Sequence, residues 1–167
     1  MSRSVEREFT AFVAERGHAL LRVAYALTGE QHAAQDLVQD ALAKAFARWR
    51  HIDGDAEPYV RRVIYHDHVS SWRKVRRREV PVPVVPERAG VEEVDASTAL
   101  RVQLRAALRA LPPRQRAVLV LRFLEDRSVE ETAQVLGCRA GTVGSQTSRA
   151  LARLRELVPE LDWEAVR

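Results

Sequence analysis

Residues 128–154, SVEETAQVLGCRAGTVGSQTSRALARL, restrict the chain to one local arrangement: a helix, a tight turn and a second helix. Ser128 and Glu131 form an S-x-x-E capping box ahead of the apolar positions Val129, Ala133 and Leu136, so a helix starts there, and Gly137 ends it. Val143, Ala150, Leu151 and Leu154 then lay down a second apolar stripe at helical spacing, which turns Arg139, Thr142, Ser145, Gln146 and Arg149 toward another face. A small Ala133 permits close approach of the two helices, and Val143 plugs the angle between them. This is the pattern of a helix-turn-helix that lays its second helix in a DNA groove. An ordinary helical hairpin with a solvated polar face has the same local pattern, so the rest of the chain must decide.

The preceding segments are also helical. Phe9, Phe12, Val13, Leu20, Val23 and Leu27 share one face of a first helix that Thr28-Gly29 stops. Leu37, Val38, Ala41, Leu42, Ala45, Phe46 and Trp49 repeat the stripe in a second, with Asp36, Gln39 and Asp40 outside it. A polar loop, HIDGDAEP, precedes a third helix that Pro58 opens and that carries Val60, Val63, Ile64 and Trp72. Leu100, Leu104, Leu108 and Leu111 form a fourth, and Pro112-Pro113 breaks it and opens a fifth whose buried side should be Ala117, Val118, Leu121 and Leu124. No alternating strand pattern occurs. The expected fold is all-α: two small helical bundles, 1–78 and 98–167, joined by an extended, Pro-rich, acidic linker at 79–97.

The 167-residue chain has a formal charge of only +4, but its charges segregate. Arg61, Arg62, Arg73, Lys74, Arg76, Arg77 and Arg78 gather against Asp67 alone, and Glu79, Glu87, Glu92, Glu93 and Asp95 then reverse the sign against Arg88. The third helix interleaves its arginines with Tyr59, Tyr65 and Trp72, and rings that stack on bases beside guanidinium groups that hold phosphate suit single-stranded nucleic acid. The competing reading makes Trp72 core and the arginine run a solvated end. Likewise, Asp36, Gln39 and Asp40 suit a basic partner or are simply a solvated acidic face.

Cys138 is the only cysteine, which rules out an intrachain disulfide and fits a reducing cytoplasm. The charged N-terminus lacks the apolar core of a signal peptide, and no apolar run is long enough to cross a membrane. His66 and His68, two apart, do not share a helical face for a metal. No catalytic constellation or phosphate-binding Gly-rich loop is present, so neither enzymatic activity nor a cofactor is expected.

Taken together, these blocks resemble the extracytoplasmic-function sigma factors of bacterial RNA polymerase. DLVQDALAKAFARW (36–49) is similar to that family's region 2.2, AEPYVRRVIYHDHVSSWRK (56–74) to regions 2.3 and 2.4, and the segment 111–155 to region 4. The resemblance implies that Asp36, Val38, Gln39 and Asp40 dock on core RNA polymerase. It implies that Arg61, Arg62, Tyr65, Trp72 and Arg73 meet the opened minus-ten element of the promoter, and that Arg139, Thr142, Ser145, Gln146, Ser148 and Arg149 read the minus-thirty-five duplex. The linker is expected to thread toward the RNA exit path, its acids mimicking nucleic-acid charge, and an anti-sigma factor is an open partner. Three positions depart from the family pattern: Arg139 stands where Ser commonly caps the recognition helix, Gly144 where Lys or Arg is usual, and Ser71 where an aromatic often sits beside Trp72. A conventional operator-binding regulator, which leaves the basic aromatic helix and the acidic linker unexplained, and a protein-binding helical adaptor, which predicts that the basic helix can be neutralised without loss of activity, are the rival readings.

Overall fold

The computed structural model describes residues 3–77 and 96–165, with the backbone alone at 72–77 and at 96 and 97. The described residues are helical and contain no strand: α1 (Arg3–Thr28), α2 (Gln31–Ala47), a 3-10 turn at Trp49–His51, α3 (Glu57–Arg77), α4 (Ala96–Ala110), α5 (Pro113–Leu119), α6 (Val129–Leu136) and α7 (Ala140–Leu157). The expected linker lies outside the described residues except for 96 and 97, which already belong to α4.

The helix boundaries follow local chemistry. Gly29, in the left-handed region at φ 69°, turns the chain out of α1. Glu30 then caps α2, its two carboxylate oxygens accepting from the backbone N–H groups of His32 and Ala33 at 2.9 and 2.8 Å. Those bonds, Ala33's first, hold its carboxyl below the usual range. Ahead of α3, Asp55 accepts from the Glu57 amide, the first of the helix, at 3.0 Å. The Ser128 and Glu131 capping box forms as expected, at 3.0 and 2.8 Å, and Gly137 ends α6 with φ 64°. Arg139 occupies the N-cap of α7 without a side-chain cap hydrogen bond, so the departure from Ser at this position leaves the cap unmade.

Leu20, Val23, Ala24 and Leu27 of α1 pack on Leu37, Val38, Ala41 and Ala45 of α2 and on Val60, Ile64 and Tyr65 of α3. Trp49 closes one end of this bundle against Phe9 and Phe12, with ring centroids 5.1 and 5.3 Å apart. A smaller core joins Ala107 and Leu111 to Leu119, Ala150, Leu154 and Val158. The two halves are nevertheless not separate. Ala117, Val118, Val120, Leu121, Ala133, Leu136 and Val143 belong to the same buried cluster as α1, α2 and α3, so the first helix of the helix-turn-helix rests on the other bundle.

Two features make that junction. Arg116, 8% exposed, donates from Nε to the Leu108 carbonyl and from Nη2 to those of Arg109 and Leu111, capping the end of α4. Its Nη1 reaches across to the Leu27 carbonyl at 2.6 Å and caps α1. Burial, with the charge of Arg109 added, pushes its pKa down to about 10, which still leaves it protonated at neutral pH. Arg109 donates in turn to the Gly29 carbonyl.

The second feature is a π-helical stretch, Val120–Leu124, that continues α5, with the Glu125 amide bonded to the Val120 carbonyl at 3.0 Å. The wider turn shifts the side-chain phase, and Asp126 follows with φ 52°. Leu124, expected on the buried side, is consequently 53% exposed, while the Glu125 side chain is turned into the junction.

Replacing Arg116 with Met should lower unfolding free energy by about 3 kcal/mol, since buried carbonyls of two helix ends lose their donor; a shift under about 1 kcal/mol in urea denaturation would remove Arg116 from this role. Gly144 is exposed in the second turn of α7 and a Cβ there meets nothing within 4 Å. Gly144→Ala should therefore stabilise the chain by about 0.5–1 kcal/mol, seen as a higher thermal midpoint.

Candidate nucleic-acid interface

α7 presents a polar face backed by core. Val143 and Ala150 are fully buried and Leu154 nearly so, which fixes the helix's rotation about its axis. Thr142, Gln146 and Arg149, at three- and four-residue steps, share with Arg139 a face that flanks this buried stripe. Arg139, Ser145, Ser148 and Arg149 are exposed, and Thr142 and Gln146 are half-buried. The Ser145 hydroxyl donates back to the Thr142 carbonyl at 3.0 Å, and Thr147 likewise bonds the Val143 carbonyl at 2.7 Å. What remains unengaged for a ligand on this face is chiefly Arg139, Gln146 and Arg149. These are a guanidinium, an amide and a second guanidinium, which are the groups that read base edges in the major groove.

The expected strand-capturing residues of α3 divide. Arg62 is exposed and Tyr59 half-buried, on the outer side. Arg61 and Tyr65 point inward, at 9% and 0% exposure. Arg61 pairs with Glu57 of its own helix and with Glu125 from the π turn. The Tyr65 hydroxyl donates to Glu125 at 2.6 Å, and burial raises its pKa. Neither side chain faces solvent in this arrangement. The side chains of Trp72 and Arg73 lie outside the described residues.

On α2, Asp36, Gln39 and Asp40 are exposed, and the two carboxylates line a groove toward α3 that also holds Lys44, Asp67 and His68. Lys44 bonds Asp67 at 2.6 Å across it. His68, its pKa pushed down to about 4 by burial and then by the charge of Arg116, is neutral there. Val38 is the exception: it is 7% exposed and packed in the core, so it supports this face from beneath and offers no side chain to a partner.

Sequence reasoning missed Glu125, Arg116 and Arg109. Each is an ordinary charged residue, on a helix or just after one, with a partner in the other bundle, so no spacing rule marks it. Among the described residues no group of His, Cys, Asp or Glu could hold a metal, and no helix is long and apolar enough to cross a membrane.

Comparison with known proteins gives these features a lineage. Residues 12–78 match the family model for sigma-70 region 2, and residues 101–154 match that for sigma-70 region 4. The RNA polymerase sigma-E factor of Streptomyces coelicolor is 42% identical over 160 residues, covering 95% of this chain and 90% of that one. The extracytoplasmic-function RNA polymerase sigma factor SigE of Mycolicibacterium smegmatis is 33% identical over 150 residues, covering 84% of this chain and 58% of that one. Among solved structures, the sigma factor RpoE of Bartonella quintana, in complex with the anti-sigma factor NepR, superimposes with a TM-score of 0.66 at 26% identity over 93% of this chain and 99% of that one. CnrH, bound to the cytosolic domain of CnrY, shares the fold, with a TM-score of 0.63 at 23% identity over 93% of this chain and 90% of that one. With both regions matched in order and the Streptomyces coelicolor relative alike over nearly its whole length, the chain belongs to the extracytoplasmic-function sigma factors, the RNA polymerase subunits of transcription initiation.

Proposed function

We propose that this chain binds core RNA polymerase, brings it to a specific set of promoters and helps open the minus-ten element. Residues 1–78 dock through Asp36, Gln39 and Asp40 and engage the opened strand through α3, with Arg62, Tyr65, Trp72, Arg73 and Arg61 as its contacts. Residues 98–167 read the minus-thirty-five duplex through Arg139, Thr142, Ser145, Gln146, Ser148 and Arg149. The linker between them follows the path toward the RNA exit, and its acids stand in for nucleic-acid charge. The factor contributes binding and strand separation, while bond formation is the polymerase's. It acts wherever the polymerase is, in the cytoplasm, and an anti-sigma factor of the kind bound to the Bartonella relative is its expected restraint.

The observation that carries this reading is the pairing of two unlike surfaces on one chain. The α7 face is suited to duplex grooves and is firmly backed by Val143, Ala150 and Leu154. α3 joins arginines to aromatic rings and suits unpaired bases. An operator-binding regulator needs only the first. Gly144 is open to solvent and has no side chain to offer phosphate or base, so base preference has to be measured for this chain.

Run-off transcription with purified core polymerase over a genomic promoter library tests the proposal. Initiation should appear only when the chain is added, and its absence from every promoter would overturn the reading. Arg149→Ala should cost about 1–3 kcal/mol of promoter binding at sites that depend on the upstream element and leave other sites unchanged; an equal loss at both kinds would detach α7 from that element.

A further inference from the structure

Two residues assigned above to the opened strand are held by the opposite half of the molecule. The carboxylate of Glu125 pairs with the Arg61 guanidinium and accepts the Tyr65 hydroxyl at 2.6 Å. Its side chain is 6% exposed and that of Arg61 is 11% exposed, so water screens the contact poorly. Arg61 Nε is buried without a hydrogen-bond partner, so this guanidinium is not fully satisfied where it lies. The contact is delivered by an unusual backbone, the π turn of Val120–Leu124 followed by Asp126 at φ 52°. Such turns are uncommon in helices and concentrate at functional positions.

The donors engaged by Glu125 are those a nucleic-acid strand would use. A guanidinium that pairs with a carboxylate through one nitrogen, as Arg61 does with Glu125 through Nη1 while Nη2 goes to Glu57, pairs equally well with a phosphodiester, and a phenol ring beneath the other bundle has no face free for a base. Glu125 and an unpaired strand therefore compete for one site. The seam between the halves is also incompletely closed. A cleft of about 540 Å³, lined by His18, Leu21, Tyr25, Arg61, Leu124 and Glu125, opens directly beside the contact. Among the described residues, the other hydrogen bonds across the junction, from Arg116 and Arg109, run to the backbone carbonyls of Leu27 and Gly29 and engage no residue assigned to DNA.

We propose that Glu125 is an internal latch: it folds residues 98–165 over α3 and withholds Arg61 and Tyr65 from single-stranded DNA until the two halves part. The free chain is then autoinhibited for strand capture while α7 stays exposed. The latch rests on the assignment of α3 to the opened strand made above.

The test uses the full chain without polymerase and a fluorescent, thymine-rich single-stranded DNA twelve-mer. Glu125→Gln keeps the shape of the side chain and removes the charge. It should enlarge the radius of gyration in X-ray scattering and tighten oligonucleotide binding by about tenfold. A second arm does not depend on how that variant folds. In a Cys138→Ser background, Leu21→Cys and Leu124→Cys line the same cleft and can be joined by a bis-maleimide; the joined protein should bind the twelve-mer at least about tenfold more weakly than the same protein left unjoined. Equal affinity of joined and unjoined protein overturns the latch. So does a Glu125→Gln chain that opens without gaining affinity, and so does a lack of binding in every form. Failure of the sigma-factor reading would show separately, as absence of polymerase-dependent initiation by the unmodified chain.

Discussion

The architecture depends on one buried guanidinium. A charge as enclosed as that of Arg116 is tolerated only when its donors are used, and four backbone carbonyls use them. Three belong to the end of α4 and one, that of Leu27, to the end of α1. Each carbonyl sits at or just beyond a helix end, where the i+4 donor of the helix interior is missing; that of Leu108 also accepts from the Leu111 amide at 3.2 Å. One side chain on α5 thereby satisfies helix ends from both bundles. It also fixes α5 against α1, which brings Val118 and Leu121 into the core built by α1, α2 and α3.

The rest of the junction follows from that placement. With α5 held, the π turn after Leu119 sets the direction of everything beyond it, sending Phe123 and Leu124 out to solvent and Glu125 inward to Arg61 and Tyr65. α6 then lies on α3 through Ala133 and Leu136, and α7 is left on the far side with its polar face open. The result is an asymmetry between the two surfaces assigned to DNA. The duplex-reading helix is presented, and part of the strand-capturing helix is covered.

Much of this was legible in the sequence because it is local. The Ser128 and Glu131 capping box, the left-handed Gly137, the stop at Gly29 and the buried Val143 each follow from side chains within a few residues of one another, and each occurs as the pattern implies. The face of α7 was equally readable, since the apolar stripe fixes which residues turn outward. What was not legible is long-range. Tyr65 and Glu125 are sixty positions apart, and Leu27 and Arg116 eighty-nine, so no periodicity links them. A helical stripe extrapolated through α5 also assumes a constant period, which fails at Val120 and misplaces Leu124. Val38 was read from its place in a matched motif, whereas its burial depends on how α2 turns toward α1 and α3.

A chain that serves as a two-part promoter reader should separate strands only in partnership with polymerase. Permanganate reactivity of unpaired thymines across the minus-ten element measures that separation directly. Reactive thymines are predicted when this chain and core polymerase are both present on promoter DNA and with neither alone. Reactivity with the chain alone, or a protected duplex without reactive thymines when both are present, would contradict the role assigned to α3 and α7.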